Sequence, residues 1–189
     1  MSHSKIETTS SALSNAAPNP DSFITGKKEL MNDFLKLLEK IPERDPRTFF
    51  AFSPEVVKAI FAKEDTRCVL MKNDEQEIVA GGILWRPSKS DPEDVLAEHE
   101  GEELGLKADD YWQLDNTVVV PSSRGAGLQA HIVRKLLDEV TEEEIVVATV
   151  SPENPASKRT LLKCGFEIRK LVKRHEDFER YIVSYMTSK

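Results

Sequence analysis

The segment 118-VVVPSSRGAGLQAHIV-133 decides the fold of this 189-residue chain, because a strand, a glycine loop and a helix follow one another in it directly. Three β-branched valines indicate a strand that ends before Pro121. The apolar residues after the glycines recur at helical spacing and predict a helix over about 127–140. A bare backbone where a strand becomes a helix, with an arginine beside it, indicates a site for an anionic ligand.

The physical basis of this prediction is the N-terminus of the helix. Consecutive backbone N–H groups, unobstructed by side chains at Gly125 and Gly127, form a cradle for an anion, and the helix dipole reinforces it. Arg124 adds a positive charge at the edge of the cradle. We therefore expect a ligand that carries a phosphate or pyrophosphate. The alternative is a glycine-rich turn that binds nothing.

Two other phosphate-binding motifs are weaker explanations of the loop. Residues 125–130 match the dinucleotide fingerprint G-x-G-x-x-G/A literally. A dinucleotide fold, however, places that motif after the first strand of a long parallel sheet, and only about sixty residues follow it here. The loop also lacks the Gly-Lys-Ser/Thr of a Walker site. An NAD(P)-dependent oxidoreductase is therefore a distant alternative.

Outside this segment, apolar periodicity predicts an α/β domain over 23–189 after a mobile tail over 1–22, which is rich in Ser, Thr, Asn and Pro. Gly81 and Gly82 in the middle of a strand indicate a bulge or a close backbone approach. Helices are predicted over 27–41, 54–63 and 155–164, and strands over 66–72, 77–86, 111–120, 145–150, 166–173 and 178–186.

Composition excludes several classes of function. A formal charge of −7 and a pI near 5.2 argue against nucleic acid as a partner, which requires a basic surface. The first 22 residues contain no apolar run of the kind that a secretory signal or membrane helix requires, and no membrane association is expected. Cys68 and Cys164 match no metal spacing or disulfide framework, so reduced thiols and a cytoplasmic location are expected. The four histidines are scattered, and no metal site is predicted.

The glycine loop and a second motif downstream of it together resemble a known protein family more specifically than either motif alone. The segment VVVPSSRGAGLQ, preceded by 113-QLD-115, is followed about 25 residues later by 154-NPASKRTLLKCGF-166. Over roughly 66–186 the chain resembles the GNAT superfamily of acyl-CoA-dependent N-acetyltransferases. The resemblance implies a mixed, mostly antiparallel sheet flanked by helices, acetyl-CoA as co-substrate and an amine as acceptor. It leaves the acceptor unidentified and a homodimer open.

The resemblance also implies which residues hold the cofactor. The glycine loop would hold the pyrophosphate, the valines would offer backbone groups to the pantetheine arm, and the helix after Asn154 would contact the same arm. Gln129 departs from the Gly or Ala that the family has at this place, which puts the detailed geometry of the loop in doubt. The residues expected to bind cofactor are Val118, Val119, Val120, Arg124, Gly125, Ala126, Gly127, Leu128, Gln129, Asn154 and Ser157.

The catalytic prediction rests on Asp115. Side chains alternate along a strand, so Gln113, Asp115 and Thr117 should share one face, which in the family borders the acyl-transfer cleft. Asp115 is the candidate general base for an amine that arrives as ammonium; orienting the substrate or joining a polar network are its alternatives. Many family members have a tyrosine as general acid where this chain has Leu161. A catalytically silent acyl-CoA-binding or regulatory module is therefore the alternative function.

An acidic insertion precedes the strand of Asp115. It carries six carboxylates within 93–103 and is predicted to be partly helical. A solvated surface is the ordinary interpretation. The second interpretation is that these charges attract a cationic acceptor by electrostatic steering.

Overall fold

The structure is a computed structural model and describes residues 19, 22–42, 52–88, 101–174 and 178–187. Seven strands form one sheet in the order β1-β2-β3-β4-β5-β7-β6, in which β4 and β5 are parallel and the other neighbours antiparallel. The strands are β1 (Phe23–Gly26), β2 (Thr66–Lys72), β3 (Ile78–Trp85), β4 (Tyr111–Val119), β5 (Ile145–Val150), β6 (Glu167–Arg174) and β7 (Phe178–Met186).

Helices cover both faces of this sheet. One face packs against α1 (Met31–Glu39) and α2 (Pro54–Ala62) through a core that includes Phe34, Ile60 and Trp85. The other face packs against α3 (Leu128–Leu137) and α4 (Pro155–Lys163). The mixed, mostly antiparallel α/β architecture expected from the sequence is therefore confirmed.

Local chemistry explains where the helices begin and end. Ser53 caps α2, its hydroxyl accepting from the Val56 N–H, with Pro54 at the first helical position. Asn154 and Pro155 start α4 in the same way. The predicted helix over 27–41 is shorter in the structure, since a 3₁₀ turn at Lys28–Leu30 precedes α1. Likewise, α3 ends at Leu137 rather than near 140.

One strand was not predicted from the sequence. β1 pairs with β2 at the edge of the sheet, with Phe23 opposite Met71 and Gly26 opposite Cys68. Its four residues are too few to show an alternating pattern of their own. The strand exists because the neighbouring edge of β2 offers hydrogen-bond partners.

The feature that positions the site is a gap between the two parallel strands. β4 and β5 pair over Tyr111–Gln113 and Ile145–Val147. β4 continues to Val119 and β5 to Val150 without further pairing between them. The carboxyl-terminal halves of the strands therefore diverge and leave an opening in the middle of the sheet.

A β-bulge lies next to this gap. Against β3, the register moves from Ile83↔Asp115 to Gly81↔Val118, so two residues of β4 oppose the single Gly82. One of the two, Asn116, has a φ of +45°. The irregularity predicted at the glycines is thus present, and the extra residue belongs to β4. A Cβ at Gly82 would lie 2.8 Å from Cγ2 of Thr117, so a side chain of the neighbouring strand occupies the space that a larger residue would need.

The helices in the described part of the chain are too short or too polar to span a lipid bilayer. The same part of the chain contains no cluster of three His, Cys, Asp or Glu side chains that could hold a metal ion.

Candidate active site

The opening between β4 and β5 contains a cavity of about 420 Å³. Phe52, before α2, lines it from one face of the sheet, and Gln129 on α3 and Leu161 on α4 line it from the other. The cavity therefore passes through the sheet from face to face. Of the predicted site residues, it is lined by Asp115, Val118, Val119, Arg124, Gly125, Gly127, Leu128, Gln129, Asn154 and Ser157.

The glycine loop forms one end of this cavity. Gly125 and Gly127 have φ of +89° and +73°, in the left-handed region that glycine tolerates best. These turns present five consecutive backbone N–H groups, of residues 125–129, for which the described residues supply no acceptor. A Cβ at Gly127 would meet nothing within 4 Å. The geometry is that of an anion cradle at the start of α3.

Of the three valines at the end of β4, one turns its backbone into the cavity. The Val120 N–H donates to the Val79 carbonyl at 2.9 Å, and Val118 pairs with Gly81. Because hydrogen-bonded and non-hydrogen-bonded pairs alternate in an antiparallel ladder, Val119 directs its N–H and carbonyl away from β3. Of the three valines expected to offer backbone groups to the pantetheine arm, Val119 is therefore the one whose N–H and carbonyl are not paired with β3.

Arg124 lies at the edge of the cradle but is partly engaged. Its Nε donates to the Val119 carbonyl at 3.2 Å, and the side chain is exposed. The two terminal amino groups of the guanidinium have no acceptor among the described residues. Arg159 and Lys163 on α4 also line the cavity and add positive charge on this face of the sheet.

Gln129 connects three elements beneath the cradle. Its Nε2 lies 3.1 Å from Oγ1 of Thr117, 3.4 Å from the Thr117 carbonyl and 3.2 Å from Oγ of Ser157. The side chain thereby spans from β4 to α4, while its backbone N–H remains directed at the cradle. The glutamine that departs from the family pattern is accommodated as a crosslink across the bottom of the cavity.

Asn154 and Ser157 line the same wall of the cavity from the start of α4. Oδ1 of Asn154 accepts from the Ser157 N–H at 3.1 Å, which caps the helix. Capping the helix does not exclude contact with the cofactor, and the position of Asn154 at the cavity wall allows both.

Asp115 lies at the opposite end of the cavity from the glycine loop, on the face of the sheet covered by α1 and α2. Its Oδ2 accepts a hydrogen bond of 2.7 Å from the indole N–H of Trp85 on β3. Burial raises the pKa of Asp115 to about 6, although hydrogen bonds from Trp85 and Gln113 oppose that rise. A carboxyl with this pKa is mostly ionised at neutral pH and is a stronger base than an ordinary aspartate.

The bulge corrects the expected orientation of Thr117. Gln113 and Asp115 do share the face with Trp85, but Thr117 points to the opposite face, where it contacts Gln129 of α3. Side chains of a strand point alternately to the two faces of the sheet. The extra residue in β4 reverses this order, so each side chain after the bulge points to the face opposite to the one expected. The sequence signal for this bulge was present in the two glycines of β3, but it did not show which strand carries the extra residue.

The position of the missing general acid is apolar. Leu161 is 3% exposed and belongs to the core beneath α4, while also lining the cavity. Cys164, three residues further along the chain, is buried against the Ala130 carbonyl, and burial raises the pKa of its thiol. Within the described part of the chain, no tyrosine lines the cavity.

The acidic insertion is described only in part, since residues 93–100 lie outside the described residues. Glu102–Leu104 forms a 3₁₀ turn, and Oε2 of Glu103 lies 2.6 Å from Nζ of Lys170 on β6. One of the six carboxylates is therefore neutralised locally. Steering of a cationic acceptor by this segment stays a prediction.

Trp85 and Arg180 are site residues that no sequence motif marks. The role of Trp85 as hydrogen-bond donor to Asp115 follows from the β3–β4 register. Arg180 on β7 is 5% exposed and lines the cavity. Its strand enters the site through pairing with β5, a contact that local sequence does not reveal.

The chain matches a family model. The model is described as Acetyltransferase (GNAT) family, and it covers residues 29–166. A search of curated proteins found no match.

Among solved structures, the ribosomal-protein-S18-alanine N-acetyltransferase of Escherichia coli has a TM-score of 0.61 at 14% identity, over 88% of this chain and 94% of that one. Arabidopsis thaliana NAA60 in complex with acetyl-CoA has a TM-score of 0.59 at 11% identity, over 86% and 96%. The smu.2055 protein of Streptococcus mutans UA159 has a TM-score of 0.60 at 14% identity, over 87% and 98%. These likenesses show the same fold, and the family match shows that the chain belongs to the GNAT acetyltransferase family.

Proposed function

We propose that this protein transfers an acetyl group from acetyl-CoA to a primary amine. The observation that carries the proposal is the cavity through the sheet, which has five open N–H groups at one end and the Asp115 carboxyl at the other. Membership of the acetyltransferase family supports it. A structure of this fold, NAA60, is known in complex with acetyl-CoA.

The cofactor would enter from the face covered by α3 and α4. The N–H groups of residues 125–129 suit the two phosphates of the pyrophosphate, and Arg124 lies close enough to add charge. Arg159 or Lys163 on α4 would meet the remaining phosphate. The pantetheine arm would then run along the free edge of β4, where the Val119 N–H is directed into the cavity.

The acceptor would reach the thioester from the other face, where Asp115 lies. A protonated amine has no lone pair for attack, so the first requirement is a base. Asp115, with a pKa of about 6, takes this proton directly or through a water molecule. The indole N–H of Trp85 holds Oδ2, and the carboxylate has lone pairs for the substrate in addition to the hydrogen bonds from Trp85 and Gln113.

Attack of the neutral amine on the acetyl thioester forms the C–N bond. The nitrogen then loses its second proton to solvent water, the C–S bond breaks, and the amide and the CoA thiolate are released. The Val119 N–H, which has no acceptor among the described residues, is the candidate donor to the carbonyl oxygen as negative charge develops there. The apolar side chain of Leu161 cannot protonate the departing sulfur. A thiolate is a good leaving group, so the absence of an acid at this place does not prevent turnover.

A thiol-release screen of the purified protein tests this function. Acetyl-CoA would be offered with amines, polyamines, amino acids, aminoglycosides and peptides, and products identified by mass. Release of CoA together with an acetylated amine supports the proposal. Tight acetyl-CoA binding without turnover of any amine would favour the catalytically silent binding module, and binding of NAD(P) in place of acetyl-CoA would favour the oxidoreductase. A cytoplasmic location and a homodimer stay predictions.

A further inference from the structure

Arg180 is the feature of the cavity that cofactor binding and proton transfer leave unused. Its side chain is 5% exposed, yet it lines the cavity. Charged side chains are rarely buried to this extent unless a partner or ligand offsets the cost of desolvation. Arg180 already interacts within the protein. A guanidinium has five N–H donors, so such contacts and a ligand contact are compatible.

The sheet register places Arg180 on the same face as Asp115. Tyr181 pairs with Val150, and side chains alternate along β7, so Arg180 shares its face with Ile182. Ile182 packs with Tyr111 of β4 in one cluster. Tyr111 and Asp115 are four residues apart on β4, before the bulge, and therefore share that face too.

The other basic residues of the cavity lie elsewhere. Arg124 follows β4 in the glycine loop, and Arg159 and Lys163 lie on α4, on the opposite face. These three are placed to meet phosphates of the cofactor. Arg180 is the one basic side chain of the described lining that lies on the acceptor's face of the sheet.

Asp115 and Arg180 are separated by β5, with backbones at least ~10 Å apart, since neighbouring strands lie about 4.8 Å apart. Thr149 of β5 lines the cavity between them. A carboxylate at one end and a guanidinium at the other would match an acceptor with a cationic and an anionic group.

We propose that Arg180 forms an anion subsite and that the acceptor is an amine that also carries a carboxylate or similar anion, such as an amino acid. This inference rests on the proposed acetyl transfer. The planar guanidinium binds a carboxylate through two parallel hydrogen bonds, which would orient the amine toward Asp115 and the thioester.

Matched pairs of amines provide the test. Thiol release would be measured for the common amino acids, each against its amide, and for ω-amino acids against alkylamines of equal length. A neighbouring carboxylate raises an amine's pKa by stabilising the ammonium. The amide therefore has more free amine at a given pH, and chemistry alone favours it. We expect kcat/KM at least ~10-fold higher for the carboxylate member of accepted pairs, which is about 1.4 kcal/mol of discrimination.

Arg180→Met should reduce this preference to within about twofold, and Arg180→Lys should retain part of it because a point charge replaces the fork. Arg134→Met, an exposed arginine on α3, is the matched control and should keep the full preference. A merely structural role of Arg180 would lower kcat/KM for both members of a pair equally. Equal turnover of both members by the wild type, or an unchanged preference in Arg180→Met, overturns the subsite.

A binding measurement separates failure of the subsite from failure of acetyl transfer. The N-acetylated amino acids and their amides would be titrated by calorimetry into the protein saturated with CoA. Tighter binding of the carboxylates that is lost in Arg180→Met supports the subsite even if no amine is turned over, in which case acetyl transfer is refuted alone. Equal affinity for carboxylates and amides in the wild type, or no binding of either, overturns the subsite.

Discussion

The indole N–H of Trp85 donates to Oδ2 of Asp115 at 2.7 Å, across the antiparallel pair of β3 and β4. Trp85 pairs with Gln113 and Ile83 with Asp115, so the bond runs diagonally along one face of the sheet. It holds the Asp115 carboxyl, which lines the cavity, next to the apolar core that includes Trp85 and Ile83. The bond fixes the orientation of the carboxyl, while burial keeps its pKa near 6.

The raised pKa of Asp115 predicts a pH-dependent stability cost. Its pKa is about 6 in the folded protein against an ordinary 3.8, so the folded state binds this proton more tightly. Below pH 3.8 the carboxyl is protonated in both states and costs nothing; the cost grows as pH rises and is complete above about 6. Asp115→Asn should therefore raise the free energy of unfolding by on the order of 2 kcal/mol at pH 7.5 and change it little at pH 4.

Urea unfolding of both proteins at the two pH values measures this difference. The asparagine keeps an oxygen that can accept from Trp85, so loss of the hydrogen bond does not complicate the comparison. A variant that is less stable than wild type at pH 7.5 would show that the charged carboxylate is well solvated or paired in the folded protein.

The anion cradle predicts a large effect at Gly127. An aspartate there would place a negative side chain in the open space before α3, where the pyrophosphate is proposed to lie. Calorimetry on Gly127→Asp should show acetyl-CoA affinity lowered at least ~30-fold, equivalent to about 2 kcal/mol. Gly105→Asp is the matched control, because Gly105 also has positive φ (77°), also has nothing within 4 Å of its Cβ position and does not line the cavity. Equal affinities of the two variants would place the cofactor elsewhere.

A substitution at Gln129 distinguishes the contribution of its backbone N–H to cofactor binding from that of its side chain. Gln129→Ala removes the crosslink to Thr117 and Ser157 but keeps the backbone N–H at the start of α3. We expect acetyl-CoA affinity to change less than about fivefold and the unfolding free energy to fall by about 1 kcal/mol, the usual net value of a hydrogen bond. A loss of affinity as large as that of Gly127→Asp would mean that the amide side chain itself binds the cofactor.

The three tyrosines should not supply an essential proton. Tyr111 is fully buried, and Tyr181 and Tyr185 pack with the core beneath α3 and α4. None is among the described residues that line the cavity. Each Tyr→Phe variant should therefore lose less than about tenfold in kcat/KM. If one variant were inactive with unchanged acetyl-CoA affinity, the tyrosine that it replaces would be the general acid, at a position other than that of Leu161.

The sequence predicted most of this fold because its elements are locally encoded. The helices begin at capping residues such as Ser53 and Asn154, and the longer strands carry β-branched residues. β1 could not be predicted, since four residues show no period and the strand depends on the free edge of β2.

The site was predictable where one continuous segment builds it. The loop at Gly125 and Gly127 combines strand end, positive φ and helix start within a few residues. The inversion of Thr117 depends on which strand carries the bulge, and Arg180 enters through the pairing of β5 with β7. Both are properties of strand register, which a local pattern does not contain.

The most direct test of acetyl transfer with Asp115 as base is the pH dependence of kcat/KM for CoA release, measured with wild type and Asp115→Asn on the best amine from the screen. The wild type should lose activity as pH falls through about 6, where Asp115 becomes protonated. Asp115→Asn should be lower by about 10²-fold or more at neutral pH, and the difference should shrink toward the pKa of the amine, where free amine needs no base. Full activity of Asp115→Asn at neutral pH would contradict the assignment.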